Sequence, residues 1–380
     1  MLPRERVLTT IDHQEPDRVP TALWGGSYGL VDDLYLQMVG TLGLEGPVKP
    51  FRSGHTVSYM DDRLLAALGT DLRYVWPASM PSTPAPSADR PDTFTDSFGQ
   101  AWIRARPYYY PDRGVLASAT GMDDIQQLVR WPDADAPGWM ESVRERSHFL
   151  RQETPYFVVM RMVSSHGPFQ TACNLRGTVN FLMDMIAWPE FAAALLERVT
   201  DVLAGLLAQA MDAGGANFDM VELPGDDYAG SNKLILSPAL FRRFIRPHLE
   251  RMIGIIRAAN PAVKVMAHSD GEVSGLLDDF VDLGIDVVHP LEPVSSMDLT
   301  AIKTRYGRRL TFLGGIDITH ALTGSQALAI EEVRRRIGQL APGGGYILAP
   351  ANHIQADVPP ENVVAVYDAA RQFGRYPICL

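Results

Sequence analysis

Cysteine is scarce in this chain, with two among 380 residues, Cys173 and Cys379. They stand far apart and form no Cys-x-x-Cys spacing, which excludes a zinc ribbon or thioredoxin-type redox pair and argues against structural disulfides. Long apolar runs are missing too. No stretch approaches the roughly 20 residues that a bilayer-spanning helix needs, and no charged-then-apolar leader opens the chain. No membrane is therefore expected, and the expected location is cytoplasmic. Positive charge is in deficit, 34 Lys and Arg against 45 Asp and Glu, for a formal charge of -11. A sequence-independent grip on nucleic acid needs clustered cations. The one cluster, Arg334-Arg335-Arg336, falls on an expected helix, where a solvated face accounts for it. No glycine run has dinucleotide or Walker spacing.

What the chain does have is core. At 46% hydrophobic and 21% charged, it has the size of one elaborated α/β barrel or two smaller domains. From residue 155 onward, apolar strand-like runs (156–161, 218–223, 263–267, 286–289, 310–313, 346–349) alternate with helical stretches (189–213, 238–259, 271–283, 325–340, 360–373). That alternation makes a parallel sheet or a closed barrel. Adding 19–24 and 71–75 gives eight strands, so the expected fold is an α/β (β/α)8 TIM barrel over a single 1–380 domain. The first 110 residues differ in texture. Proline and serine peak over 77–91, and a hairpin is expected over 93–110 with Phe98-Gly99 at its turn. Residues 77–110 read as a rim segment built onto the barrel.

The most informative stretch is Val263 to Gly271, an apolar run that ends in His268, Ser269 and Asp270. A buried strand here delivers imidazole and carboxylate at its C-terminal tip, where α/β barrels keep their chemistry. Other expected strands end alike, in Asp226-Asp227, His289-Pro290, Gly314-Gly315-Ile316-Asp317 and Asn352-His353. Convergence of such ends on one pocket is the signal. Plainer readings stand beside it. His268 fits a buried histidine satisfied by backbone, Asp270 fits a helix cap, Asp226-Asp227 fits a turn, and His289 fits pocket wall or core. Trp24, Tyr28, Met160, Met162 and Phe169 lie near strand ends and would line an apolar substrate pocket or pack in the core.

Taken together, Asp226-Asp227, Ser237-Pro238 through Arg246-Pro247, His268-Ser269-Asp270-Gly271, Gly314-Gly315-Ile316-Asp317, Gly344 through Pro350 and Pro359-Pro360-Glu361-Asn362 resemble the uroporphyrinogen decarboxylase superfamily. The resemblance runs from Arg4 to Tyr376 and implies a (β/α)8 barrel with one of two activities. One is decarboxylation of the porphyrin precursor; the other is zinc-dependent methyl transfer with a corrinoid protein. The decarboxylases resemble one another in an Arg-rich stretch after the first strand that holds the substrate carboxylates. The matching stretch here, Leu23 to Gly29, has no arginine.

The methyltransferase branch is the closer match, with a departure. Its thiol-methylating members resemble a His-x-Cys pair plus a later Cys, three zinc ligands with one open position. This chain reads His268-x-Asp270 and, later, Asn352-His353. Oxygen and nitrogen donors leave zinc a stronger Lewis acid, suited to an ether oxygen. The expected reaction is O-demethylation of a methoxylated, aryl methyl ether donor, with methyl passing to a Co(I) corrinoid (cobalamin). The expected ligands are His268, Asp270, Glu222 and His353. Asp226 and Asp227 are expected to support them or give a proton, and His289 joins the substrate wall. The chain lacks the Asp-x-His-x-x-Gly signature of corrinoid carriers, so the cofactor is assigned to a partner protein; a homodimer is left open. Alternatives are another methyl donor or a thiol acceptor, a decarboxylase, or a ligand-binding barrel without catalysis.

Overall fold

The computed structural model describes residues 1–23, 29–52, 55–77, 92–105, 108–136, 138–161 and 163–379. Short β-branched and apolar runs become strands because their side chains are covered on both faces, the condition that lets parallel strands form. The first is β1 (Leu72–Val75). A rim sheet follows, made of β2 (Thr93–Thr95), β3 (Ala101–Ala105) and β4 (Tyr108–Pro111). The barrel sheet resumes with β5 (Phe157–Met160), β6 (Met220–Glu222), β7 (Lys264–His268), β8 (Val287–His289), β9 (Thr311–Ile316) and β10 (Tyr346–Pro350). β1 and β5 to β10 form one curled parallel sheet in the order β1-β5-β6-β7-β8-β9-β10. Nearly every residue in it is buried, and a fully buried Val, Leu or Phe side chain contributes roughly 1.5–3 kcal/mol.

The expected eighth strand over 19–24 is reduced to a short extended segment. Thr21 bridges Leu348 in parallel, Ala22 N–H donates to Leu348 O at 2.9 Å, and Asp71 N–H donates to Thr21 O at 2.9 Å. The segment thus joins β10 on one side to the start of β1 on the other. Pro20 has no N–H to give, which limits the ladder to isolated bonds.

Helices cover the sheet. Pro189–Gly214, Gln326–Leu340 and Pro360–Phe373 follow the expected bounds within two residues. The expected helix over 238–259 is interrupted by a π turn, Phe241–Ile245. Arg246 N–H reaches back five residues to Phe241 O, and Pro247, lacking an N–H, sits in the first turn of the α-helix Arg246–Ala259.

The expected hairpin over 93–110 is a three-stranded antiparallel sheet, β2-β3-β4. Asp96 builds its first turn by accepting the N–H groups of Phe98 and Gln100, both at 2.9 Å. Trp102 of β3 stacks on His166, with ring centroids 5.4 Å apart, so the sheet stands against the loop that follows β5. Among the described residues no helix is long and apolar enough to cross a membrane. Cys173 is buried and Cys379 exposed, and neither is in a disulfide.

Candidate metal centre and cavity at the barrel mouth

Parallel strands bring their C-terminal ends to one face, and here β6, β7 and β8 end in Glu222, His268 and His289. Register sets His268 beside His289, and their Nδ1 atoms lie 3.1 Å apart. One of the two must carry a hydrogen. Burial and the neighbouring imidazoles hold His289 well below the usual histidine range, so it is neutral.

The other edge of the His268 ring faces carboxylates. Its Nε2 lies 3.6 Å from Asp227 Oδ1 and 4.0 Å from Asp270 Oδ1, too long for hydrogen bonds. Asp227, His268 and Asp270 offer three ligand atoms within 4.8 Å of one another. Tetrahedral zinc with bonds of about 2.0–2.1 Å sets its donors roughly 3.3–3.4 Å apart. Inward side-chain shifts of up to about 1 Å would therefore close this set on a divalent cation. Asp270 N–H donates to Asp227 Oδ1 at 3.0 Å and Asn352 Nδ2 to Asp270 Oδ2 at 3.0 Å, supports that orient liganding carboxylates. With a cation on Nε2, His268 would present Nδ1–H to His289 Nδ1, the paired arrangement that fixes a ligand's tautomer.

Glycine lets the β7 loop make this approach. At Gly271, φ is +81° and an added Cβ would lie 2.5 Å from Gly230 O. Gly271 N–H donates to Glu292 at 2.8 Å.

The sites expected from sequence separate into groups. Asp227, His268, Asp270 and His353 line a cavity of about 570 Å³, within the usual range for small-molecule sites. Glu222 lies behind, grouped with His268 and His289 in a second, fully buried set within 4.8 Å. His353 stands instead with His55, ring centroids 5.8 Å apart, and Tyr108, at 6.0 Å. Asp226 is 1% exposed and turns away from the cavity. It accepts Phe169 N–H, Gln170 N–H and the Tyr228 hydroxyl at 3.1, 2.7 and 3.1 Å; burial pushes its carboxyl up to about 7. Met160 and Phe169 are in the core, Phe169 packing on Phe181 and Tyr228. Trp24, Tyr28 and Met162 lie outside the described residues.

Sequence reasoning assigned no site role to Arg52, Arg161, His55, His166, Trp76 and Trp102, which also line the cavity. Burial presses His166 down to about 4. His55 and His353 are held well below the usual range by burial and by the nearby Arg52. All three imidazoles are neutral at pH 7, whereas guanidinium stays charged. Arg161 had a legible signal, because it follows the last residue of a barrel strand, β5.

A model of the Uroporphyrinogen decarboxylase (URO-D) family matches residues 113–373. The chain belongs to the uroporphyrinogen decarboxylase family. Uroporphyrinogen decarboxylase of Syntrophotalea carbinolica is 26% identical over 267 residues, covering 66% of this chain and 69% of that protein. That of Thermus thermophilus is 27% identical over 262 residues, covering 66% and 68%. A solved structure described as a methyltransferase from Methanosarcina mazei superposes with a TM-score of 0.62 at 19% identity, over 98% of this chain and 99% of the other. That likeness establishes a shared TIM-barrel-like fold. The family match begins at Arg113, so the rim sheet and Arg52 lie outside it.

Proposed function

We propose that this family member is a metal-dependent methyltransferase that removes methyl from a small methoxylated compound, an aryl methyl ether, and passes it to the Co(I) corrinoid of a partner protein. The observation that carries the reading is the Asp227, His268 and Asp270 group, free of thiolate and opening onto a cavity walled by aromatic rings. The arginine-free stretch Leu23 to Gly29 supports it against decarboxylation, since a polycarboxylate tetrapyrrole would lack its counter-charges there.

Asp227, His268 and Asp270 would hold the cation, zinc on the chemistry of this donor set. When bound, it would supply Lewis acidity toward the ether oxygen. The chain's own part is placement. His289 fixes the His268 ring, Asn352 fixes Asp270, and the rings of Trp76, Trp102 and Tyr108 offer flat apolar surface to an arene while restricting water. For the proposed reaction to balance, the methyl carbon would leave oxygen for cobalt, the oxygen would keep the C–O electron pair, and a proton from water would complete the phenol.

The test supplies zinc, cob(I)alamin and a methoxyarene to the purified chain and follows methylcobalamin and phenol together. Equal formation of both, lost in His268→Ala and on chelation, is expected. Metal-free decarboxylation of uroporphyrinogen would overturn the reading in favour of the activity named for the curated relatives.

A further inference from the structure

The cavity lining holds a cation with donors that its own surroundings leave unmet. Arg52 donates Nε–H to Val57 O at 2.7 Å, and its Nη1 and Nη2 are buried with no hydrogen-bond partner. Its guanidinium lies 4.9 Å from the centre of the Phe51 ring, and that of Arg161 lies 5.4 Å from the same centre. Two like charges thus share one ring, and each raises the cost of the other. Arg161 has a compensating carboxylate nearby in Glu222. Asp32 acts on Arg52 through its charge but makes no direct hydrogen bond to it, and its Oδ1 accepts Ser58 N–H at 2.6 Å. Buried donors left unmet are costly, and an anion entering the cavity would satisfy both.

What Arg52 presents to the cavity is a pair of buried donors in the fork geometry that suits a carboxylate. We infer that the substrate is an aromatic acid whose carboxylate is received by Arg52, with Arg161 beside it, while its reacting group points to Asp227, His268 and Asp270. The methoxy identity of that reacting group rests on the function proposed above; the acid does not. On this inference Arg52 is a specificity-determining residue for the proposed reaction.

Direct binding tests the inference without methyl transfer. Quenching of intrinsic tryptophan fluorescence, to which Trp76 and Trp102 in the cavity wall contribute, reports affinity for 3- and 4-methoxybenzoate against methoxybenzene. The wild-type chain should bind at least one acid about tenfold or more tightly than the neutral ether, the value of a charge-assisted contact. Arg52→Gln should abolish that preference with little change for methoxybenzene, and Arg52→Lys should restore part of it. Equal affinity of the wild-type chain for acid and ether overturns the inference, and so does an undiminished preference in a folded Arg52→Gln protein. The comparison on wild type stands even if the variant fails to fold. An acid preference without any methyl transfer would uphold the anion site and sink the methyltransferase reading; neutral ethers demethylated as well as acids would do the reverse.

Discussion

Replacing Asp226 by alanine removes the clamp that holds the cavity floor together. The helix Pro168–Arg176 begins after Gly167, which has no side chain to cap it, and with Pro168, which has no N–H. Its next two N–H groups, on Phe169 and Gln170, are capped instead by Asp226 from 57 and 56 residues away, and the same carboxylate accepts the Tyr228 hydroxyl. Alanine leaves three buried donors unmet at about 1–3 kcal/mol each. Partial relaxation brings the expected loss to about 3–5 kcal/mol. Gly167→Ala attacks the contact from the other side, since its Cβ would lie 2.6 Å from Asp226 Cγ and 2.7 Å from Pro224 O. Overpacking of that kind costs about 1–3 kcal/mol. Urea unfolding at one pH, with chelator present so that metal linkage does not enter, measures both variants and the double variant. Because the two changes break one contact, the double variant should lose less than their sum. A loss below about 1 kcal/mol for Asp226→Ala, or strict additivity, would refute the argument.

The remaining predictions reach other parts of the molecule. Asn352→Ala leaves the three proposed ligands in place but releases Asp270, and should weaken zinc affinity about 10–100-fold in a competition titration; unchanged affinity would contradict a positioning role for Asn352. Arg176 is buried against Asp184 at 2.7 Å and also donates to Leu116 O and Ala119 O. Arg176→Ala should cost about 3–5 kcal/mol in the same unfolding assay. Burial lowers the Lys303 amine to about 8, so from about pH 8 to 10.5 the unfolded chain binds the extra proton and folding becomes more favourable as pH rises. Relative to Lys303→Met, the wild-type chain should gain about 2–3 kcal/mol between pH 7.5 and 10. A constant gap between the two would contradict the burial of that charge.

The barrel was legible because its signal is local. Runs such as Phe157 to Met160 are apolar on both faces, and a strand buried between helices admits little else. The first strand was read too generously, because the hydrogen-bonding limit imposed by Pro20 competes with an otherwise apolar run. His268 and Asp270 stood out in the sequence because they end a strand two residues apart. Asp226 and Asp227 are neighbours in sequence but diverge in space, one toward a helix start and one toward the cavity, and alternation along a chain does not announce which is which. Arg52 escaped notice altogether. Its meaning comes from the cavity that it meets, about 110 residues from Arg161, and no spacing rule connects the two.

The central claim is that Asp227, His268 and Asp270 hold a divalent cation. Elemental analysis of the zinc-supplied chain beside His268→Ala and Asp270→Ala tests it most directly. The account predicts about one metal per wild-type chain and a loss in both variants while their folding, followed by circular dichroism, is kept. A wild-type chain without metal, or a folded His268→Ala protein with a full complement, would contradict it.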